Sequence, residues 1–337
     1  MIPGAYGGDF FRSPIRGVMV TGATTPVGER LVRELLADDT VGRVLAVGLE
    51  PEDQALSFTD PDRLVYRQVD LGRSRRAHEL LFGVARELEV EVVIHTAMHR
   101  SAHDRGQRVR AQNVEALRTL LDLSERLPTI RRLVFKSSAE VYQVQYDLPV
   151  LITEDHPINL APGAPQFIRD RVEADMTACA RMGLFNLEII VVRMAEILAP
   201  GTGSQLFDYL EAPLCLRPAG FDPMINVLSL DDSVRALELA GRAMGVQGVF
   251  NIGGADTLPL SAAIQKWGRM GLPMPGGVLP FFYRARSRLR GSEFSYGMNR
   301  RRFHYAAVLD ATRARRVLGF EPTERVNWPG QMLDTGP

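Results

Sequence analysis

Lysine is almost missing from this chain. Of its 40 basic residues only Lys136 and Lys266 are lysines, and the rest are arginine. The 40 acidic residues cancel them, so no global field draws in nucleic acid or an acidic membrane. Such a partner would need a local patch. Cysteine is scarce as well. Cys179 and Cys215 each sit in an apolar stretch without metal-ligand spacing, which reads as two buried free thiols suited to a reducing cytosol. No uncharged apolar run approaches the ~20 residues that span a bilayer. The opening MIPGAYGGDFFRSP has no basic region followed by an apolar one, so it does not read as a secretory signal. Together these absences point to a cytoplasmic protein. There is no internal repeat and no low-complexity linker.

What remains is an ordinary globular composition, 45% apolar and 24% charged over 337 residues, enough for one large domain or two unequal lobes. The most informative stretch is Arg16–Glu29, RGVMVTGATTPVGE. An apolar run ends in Thr21-Gly22, and Val27, Leu31, Val32, Leu35 and Leu36 then recur at helical spacing, with Pro26 suited to the first helical position. This is a strand, a glycine turn and a helix. The open N–H groups at such a helix start suit a pyrophosphate.

Further on, the continuous apolar runs Val44–Val47 and Val92–His95 read as strands buried on both faces. Leu64–Tyr66, Arg132–Lys136 and Leu187–Val192 add strands, and helices are expected at 73–88, 105–127 and 166–182. The alternation predicts an α/β fold, a doubly wound parallel sheet. Proline and glycine mark loops over 199–224. A helix at 231–244 and a strand at Val249–Ile252 restore the rhythm, and the remainder reads as a smaller, mostly helical C-terminal lobe. The expected units are a flexible tail (1–14), a dinucleotide-binding domain (15–196 plus about 225–255) and a substrate lobe (about 197–224 plus 256–330).

Several blocks in order resemble the extended short-chain dehydrogenase/reductase family, the NAD-dependent epimerases and dehydratases. Gly22, Thr24, Thr25, Pro26, Val27 and Gly28 match its TGxxGxxG turn, and Val69-Asp70-Leu71 its adenine-contacting segment. Val93–Ala97 matches VIHxA, Asn113 a supporting helix asparagine, and Leu133–Tyr142 the strand carrying the catalytic serine. Arg193–Pro200, Asn251–Gly254 and DATRARRVLGFEP (310–322) complete a match over most of the chain. The resemblance implies a Rossmann-type fold binding NAD or NADP. Gly22, Thr24, Thr25, Pro26, Val27, Gly28, Asp70, Leu71, Thr96, Ala97, Asn113 and Arg171 would touch the cofactor. Ser138 and Glu140 are the candidate catalytic residues. It also implies a homodimer through the helices 105–127 and 166–182.

Three positions depart from the family pattern. Thr25 replaces the middle glycine of the turn; its β-branched side chain either crowds the pyrophosphate or caps the helix. Gly48-Leu49 stands where an acidic residue usually meets the ribose, with Glu50 one residue beyond, so NAD and NADP both stay open. Phe167 and Arg171 occupy the Tyr-x-x-x-Lys positions, and neither lysine follows a tyrosine by four residues anywhere. Phenylalanine has no proton to give. Tyr142 and Tyr146 offer phenols, with no cation evident beside either.

His95, His99 and His103 recur every four residues, but His95 closes a strand, so the three share no helix face and no metal site is expected. Arg100 and the arginine-aromatic stretch 280–305, including Arg284 and Arg286, suit an anionic substrate, a peripheral membrane or partner contact, or a solvated surface. Nucleic acid is not expected. Two functions follow. One is an NAD(P)-dependent epimerase, dehydratase or reductase acting on a sugar nucleotide or similar anion with altered acid/base groups. The other is a catalytically silent dinucleotide binder that docks to a partner or membrane.

Overall fold

The computed structural model describes residues 14–330; of the expected tail only Pro14 falls among them. Seven parallel strands form one sheet: β1 (Ile15–Thr21), β2 (Val41–Gly48), β3 (Leu64–Gln68), β4 (Val90–His95), β5 (Arg132–Ser138), β6 (Glu188–Met194) and β7 (Gly248–Ile252). Their order is β3-β2-β1-β4-β5-β6-β7. The chain therefore winds outward from β1 in one direction and from β4 in the other. The crevice at their carboxyl ends is the switch point where ligands bind in such sheets.

The apolar runs make this sheet because both its faces are covered. Val18, Val20, Val44, Ala46, Ile94 and Val134 pack on the side of helix α1 (Pro26–Ala37) and of helix Leu230–Arg242. Met19, Leu45, Val93, Leu133 and Phe135 pack on the side of the helical stretch 107–124, which we call α2. Alternate residues of each strand thus enter different cores, as strand geometry requires. Helix α3 (Gln166–Cys179) lies over β5 and β6 and carries Phe167 and Arg171.

The second lobe has its own core, built around Tyr209, Trp267, Tyr283, Phe294, Tyr296, Phe303 and Trp328. It holds helices Gln205–Leu210, Leu260–Lys266 and Leu279–Arg290, whereas helix Thr312–Leu318 packs back on β7 and the first core. Short strands accompany them. Glu196–Ile197, Met224–Leu228 and Asp256–Pro259 form one sheet, and Leu214–Pro218 pairs with Met270–Met274. The stretch 199–224 is therefore not all loop. Ser204 Oγ caps helix Gln205–Leu210 by accepting from Phe207 N, and a two-stranded ribbon tolerates proline at its ends. Among the described residues no helix is long and apolar enough to cross a membrane.

Candidate active site

The glycine turn is built by close approach. Gly22 adopts a positive φ of 71°, and a Cβ there would lie 2.7 Å from Ala97 N. A Cβ on Gly28 would meet Gly22 O at 2.1 Å, so helix α1 can reach the strand only through glycine. Thr25 is the N-cap. Its hydroxyl accepts from Gly28 N at 3.1 Å and donates to Gly22 O at 2.8 Å. The polar atom is thus spent inside the turn, which decides for the capping reading of this departure. Gly48 is explained by its neighbours, since a Cβ would stand 2.6 Å from Tyr66 Oη and 2.8 Å from Thr24 Cγ2. Glu50 takes up the rim beyond it. Its carboxylate accepts from the Thr24 hydroxyl and from Leu49 N, while its carbonyl accepts from Tyr66 Oη at 2.7 Å.

Gly22, Thr24, Thr25, Gly48 and Glu50, with Asp70, Leu71 and Ala97, line a cleft of about 740 Å³. Asp70 is held by Gly72 N at 3.0 Å. Thr96 anchors the β4 end through a hydrogen bond to Thr21 O of 2.8 Å. His95 is buried, 2.6 Å from Thr21 Oγ1, and burial pushes its pKa down to about 4. Asn113 lies in a π-helical turn of α2, Ala111–Glu115, and accepts from His99 N at 2.7 Å. It thereby fixes the loop after β4. The three spaced histidines go to separate partners: His99 faces Asp104 and Gln112, and His103 reaches Ser292 O at 3.0 Å. Ser101 donates to Glu293, and Arg100 to Gly201 O, both at 2.8 Å. The loop over the cleft is thereby fastened to the second lobe.

At the β5 end, Ser138 Oγ donates to Glu140 Oε2 at 3.1 Å and accepts from Glu140 N at 3.0 Å. Glu140 is ion-paired to Arg171 Nε at 3.1 Å, with side chains only 8% and 7% exposed. The Arg171 guanidinium stacks 3.3 Å from the Phe167 ring centre and donates to Phe167 O. Burial lowers the Arg171 pKa, yet it stays a fixed cation because its reference value is so high. Ser138, Glu140 and Arg171 thus converge as expected.

Three residues that the sequence reading did not name as site residues join them around a pocket of about 60 Å³, continuous with the larger cleft: Lys136, Glu196 and Arg302. Burial and the Arg171 charge push the Lys136 amine down to about 8. Burial and the Glu140 charge push the Glu196 carboxyl up to about 7, and Ser204 Oγ donates to it at 2.6 Å. Arg302 donates to Ala139 O at 2.6 Å. The period of two along β5, which sets Lys136 on the Ser138 face, was the one signal available.

Several expectations are corrected. Arg284 and Arg286 do not line the cleft. Helix Leu279–Arg290 is anchored through Tyr283 into the lobe core, which leaves Arg284 on the outer face and Arg286 beside Tyr283 at 5.8 Å. The aromatics Tyr283, Phe294, Tyr296 and Phe303 are core rather than surface, while Phe281 and Leu289 remain exposed. Tyr142 does have a cation beside it, since Arg193 donates to its oxygen at 3.0 Å. That phenol is buried, donates to Asn251, and is pushed up to about 12 by burial. It is therefore a structural group. Tyr146 is exposed and lies outside the cleft.

A switch-point crevice, a glycine turn at a helix start and a buried charged pocket beside it define an α/β protein of Rossmann type. Residues 18–212 match the model of the NAD dependent epimerase/dehydratase family, and the chain belongs to that family. An uncharacterized protein of Mycobacterium tuberculosis (strain H37Rv) is 31% identical over 312 residues, 90% of this chain and 80% of its own. The solved dTDP-glucose 4,6-dehydratase of Bacillus anthracis, in complex with NAD, has a TM-score of 0.68 at 20% identity and covers 94% of both chains. The UDP-glucose 4-epimerase of Thermotoga maritima, with UDP-glucose, has a TM-score of 0.65 at 18% identity over 92% of this chain and 94% of its own. At these identities the two structures establish the shared fold.

Proposed function

We propose that this protein binds NAD in the cleft and acts on a hydroxyl or carbonyl group of a sugar nucleotide or similar anion, moving the proton without the family's tyrosine-lysine pair. The observation that carries the reading is the buried cluster of Ser138, Glu140, Arg171, Lys136 and Glu196 beside the glycine turn. Ionisable groups near neutrality gathered in a cleft are what acid/base chemistry needs. The N-terminus of α1, from Gly22 through Thr24 to Gly28, would hold the diphosphate. Asp70 and Leu71 would flank the adenosine; Thr96, Ala97, Asn113 and Arg171 would lie on the nicotinamide side. A bound nicotinamide supplies hydride transfer. The Glu50 carboxylate favours NAD, because a 2′-phosphate there would meet a like charge. Arg100 at the cleft is the candidate contact for an anionic substrate. A second copy of the chain is proposed against α2 and α3, where Met176 stays exposed.

Phe167 at the phenol position supports the second reading, a silent dinucleotide binder. Calorimetry with NAD, NADH, NADP and NADPH, followed by a panel of UDP- and dTDP-sugars assayed by proton NMR, separates the two. Micromolar NAD binding, tighter than NADP, together with turnover that Ser138→Ala abolishes, is the expected result. NAD binding without turnover leaves the silent binder, and binding of none of the four overturns both.

A further inference from the structure

Among the described residues, Lys136 is the basic side chain of the pocket that has no partner of its own. Along β5 the row Val134, Lys136, Ser138 shares one face. Val134 is sealed in the core, and Lys136 stands where that row emerges into the pocket. Among the described residues its amine makes no hydrogen bond and no ion pair. Lys136 is half-buried and opens on the pocket, so its amine is within reach of whatever occupies it.

Most groups around it are tied to partners. Arg171, from α3, is a permanent cation that neither gives nor takes a proton. Glu140 Oε2 is held by Arg171 and by Ser138, and its buried Oε1 has no hydrogen-bond partner among the described residues. Arg302, from the second lobe, binds the Ala139 carbonyl. Arg100 binds Gly201 O, and His99, from the same loop, faces Asp104 and Gln112. Phe167 has no proton. Glu196, across the pocket from α3 on its own short strand, is the remaining carboxyl, and its charge favours the protonated form of Lys136.

We propose that Lys136 is the proton-transferring residue of this site, acting on the substrate oxygen that Ser138 Oγ holds, with Glu196 as its positioning residue. This rests on the NAD-dependent reading above. In the oxidation direction the neutral amine takes the hydroxyl proton, so an O–H bond breaks and an N–H bond forms. The carbon's hydrogen leaves with its electron pair to the nicotinamide ring, which is reduced as the substrate becomes a carbonyl. In the reverse direction the ammonium returns the proton to the carbonyl oxygen as hydride comes back. Lysine serves here because its amine, near 8 in this setting, holds both forms at neutral pH.

The scarcity of lysine makes the test direct. With lysine labelled with ¹³C at Cε, the chain carries two reporter side chains, and Lys266→Arg leaves Lys136 alone. In the unliganded protein the Lys136 signal is expected to titrate near pH 8. Glu196→Gln should move that titration lower, and saturating NAD should shift the signal. With NAD and UDP-glucose or dTDP-glucose, Lys136→Met should lose turnover by roughly a hundredfold or more, and Lys136→Arg should not rescue it. An ordinary lysine titration indifferent to Glu196→Gln overturns the proposal whatever the kinetics. So does a Lys136 signal that saturating NAD leaves unmoved, or a Lys136→Met variant that turns over normally with its pH profile unchanged. Failure of NAD to bind removes the underlying reading as well, and calorimetry records it separately.

Discussion

Arg171→Met tests the centre of the site through stability alone. The Arg171 Nε to Glu140 Oε2 distance is 3.1 Å and both side chains are nearly sealed from solvent. At an effective dielectric of ~20, two unit charges this close attract by about 5 kcal/mol, an attraction that desolvation largely offsets. Removing the arginine alone keeps the desolvation and deletes the attraction. Glu140 Oε1 already has no hydrogen-bond partner among the described residues, and without Arg171 its Oε2 keeps only the Ser138 hydroxyl. The expected loss is about 3–5 kcal/mol, while the double variant Arg171→Met/Glu140→Met, which removes both charges, should lie within about 2 kcal/mol of the parent. Urea unfolding of the unliganded protein measures all the variants, with the midpoint moving and the slope unchanged. Additive losses in the double variant would refute the buried-pair account.

Two further predictions follow from the turn and the strand beside it. Thr25→Ala should lower stability by about 1 kcal/mol and Thr25→Gly by only a few tenths, read as thermal midpoints; equal losses would contradict the capping role. His95 has a folded pKa of about 4 against 6.5 in the unfolded chain. Its contribution is intact above pH 6.5 and is lost as pH falls toward 4, by about 3 kcal/mol. His95→Gln should flatten that part of the stability curve measured by denaturation between pH 4 and 7.

The turn was legible because Val18 to Gly28 is local: strand, glycines and helix start follow one another in the chain. Thr25 allowed two readings in sequence, and the backbone around Gly22 decided between them. Ser138, Glu140, Phe167 and Arg171 were legible through family blocks. Glu196 was not, since it reaches the pocket on a separate short strand, and Arg302 only as one unnamed arginine of the 280–305 stretch. Arg284 and Arg286 misled because a run of arginines on a helix has no preferred side until a core claims one. Tyr283 settled that, and it turned Arg284 outward.

The fastenings of Ser101 to Glu293, Arg100 to Gly201 and His103 to Ser292 carry a kinetic consequence. They roof the cleft with contacts between its two sides. If NAD binds beneath them as proposed, it would exchange only as fast as the lobes part, and its residence time would be set by how often these bonds break together. The cofactor would then behave less as a diffusing co-substrate than as a captive tool, reset within each cycle without leaving.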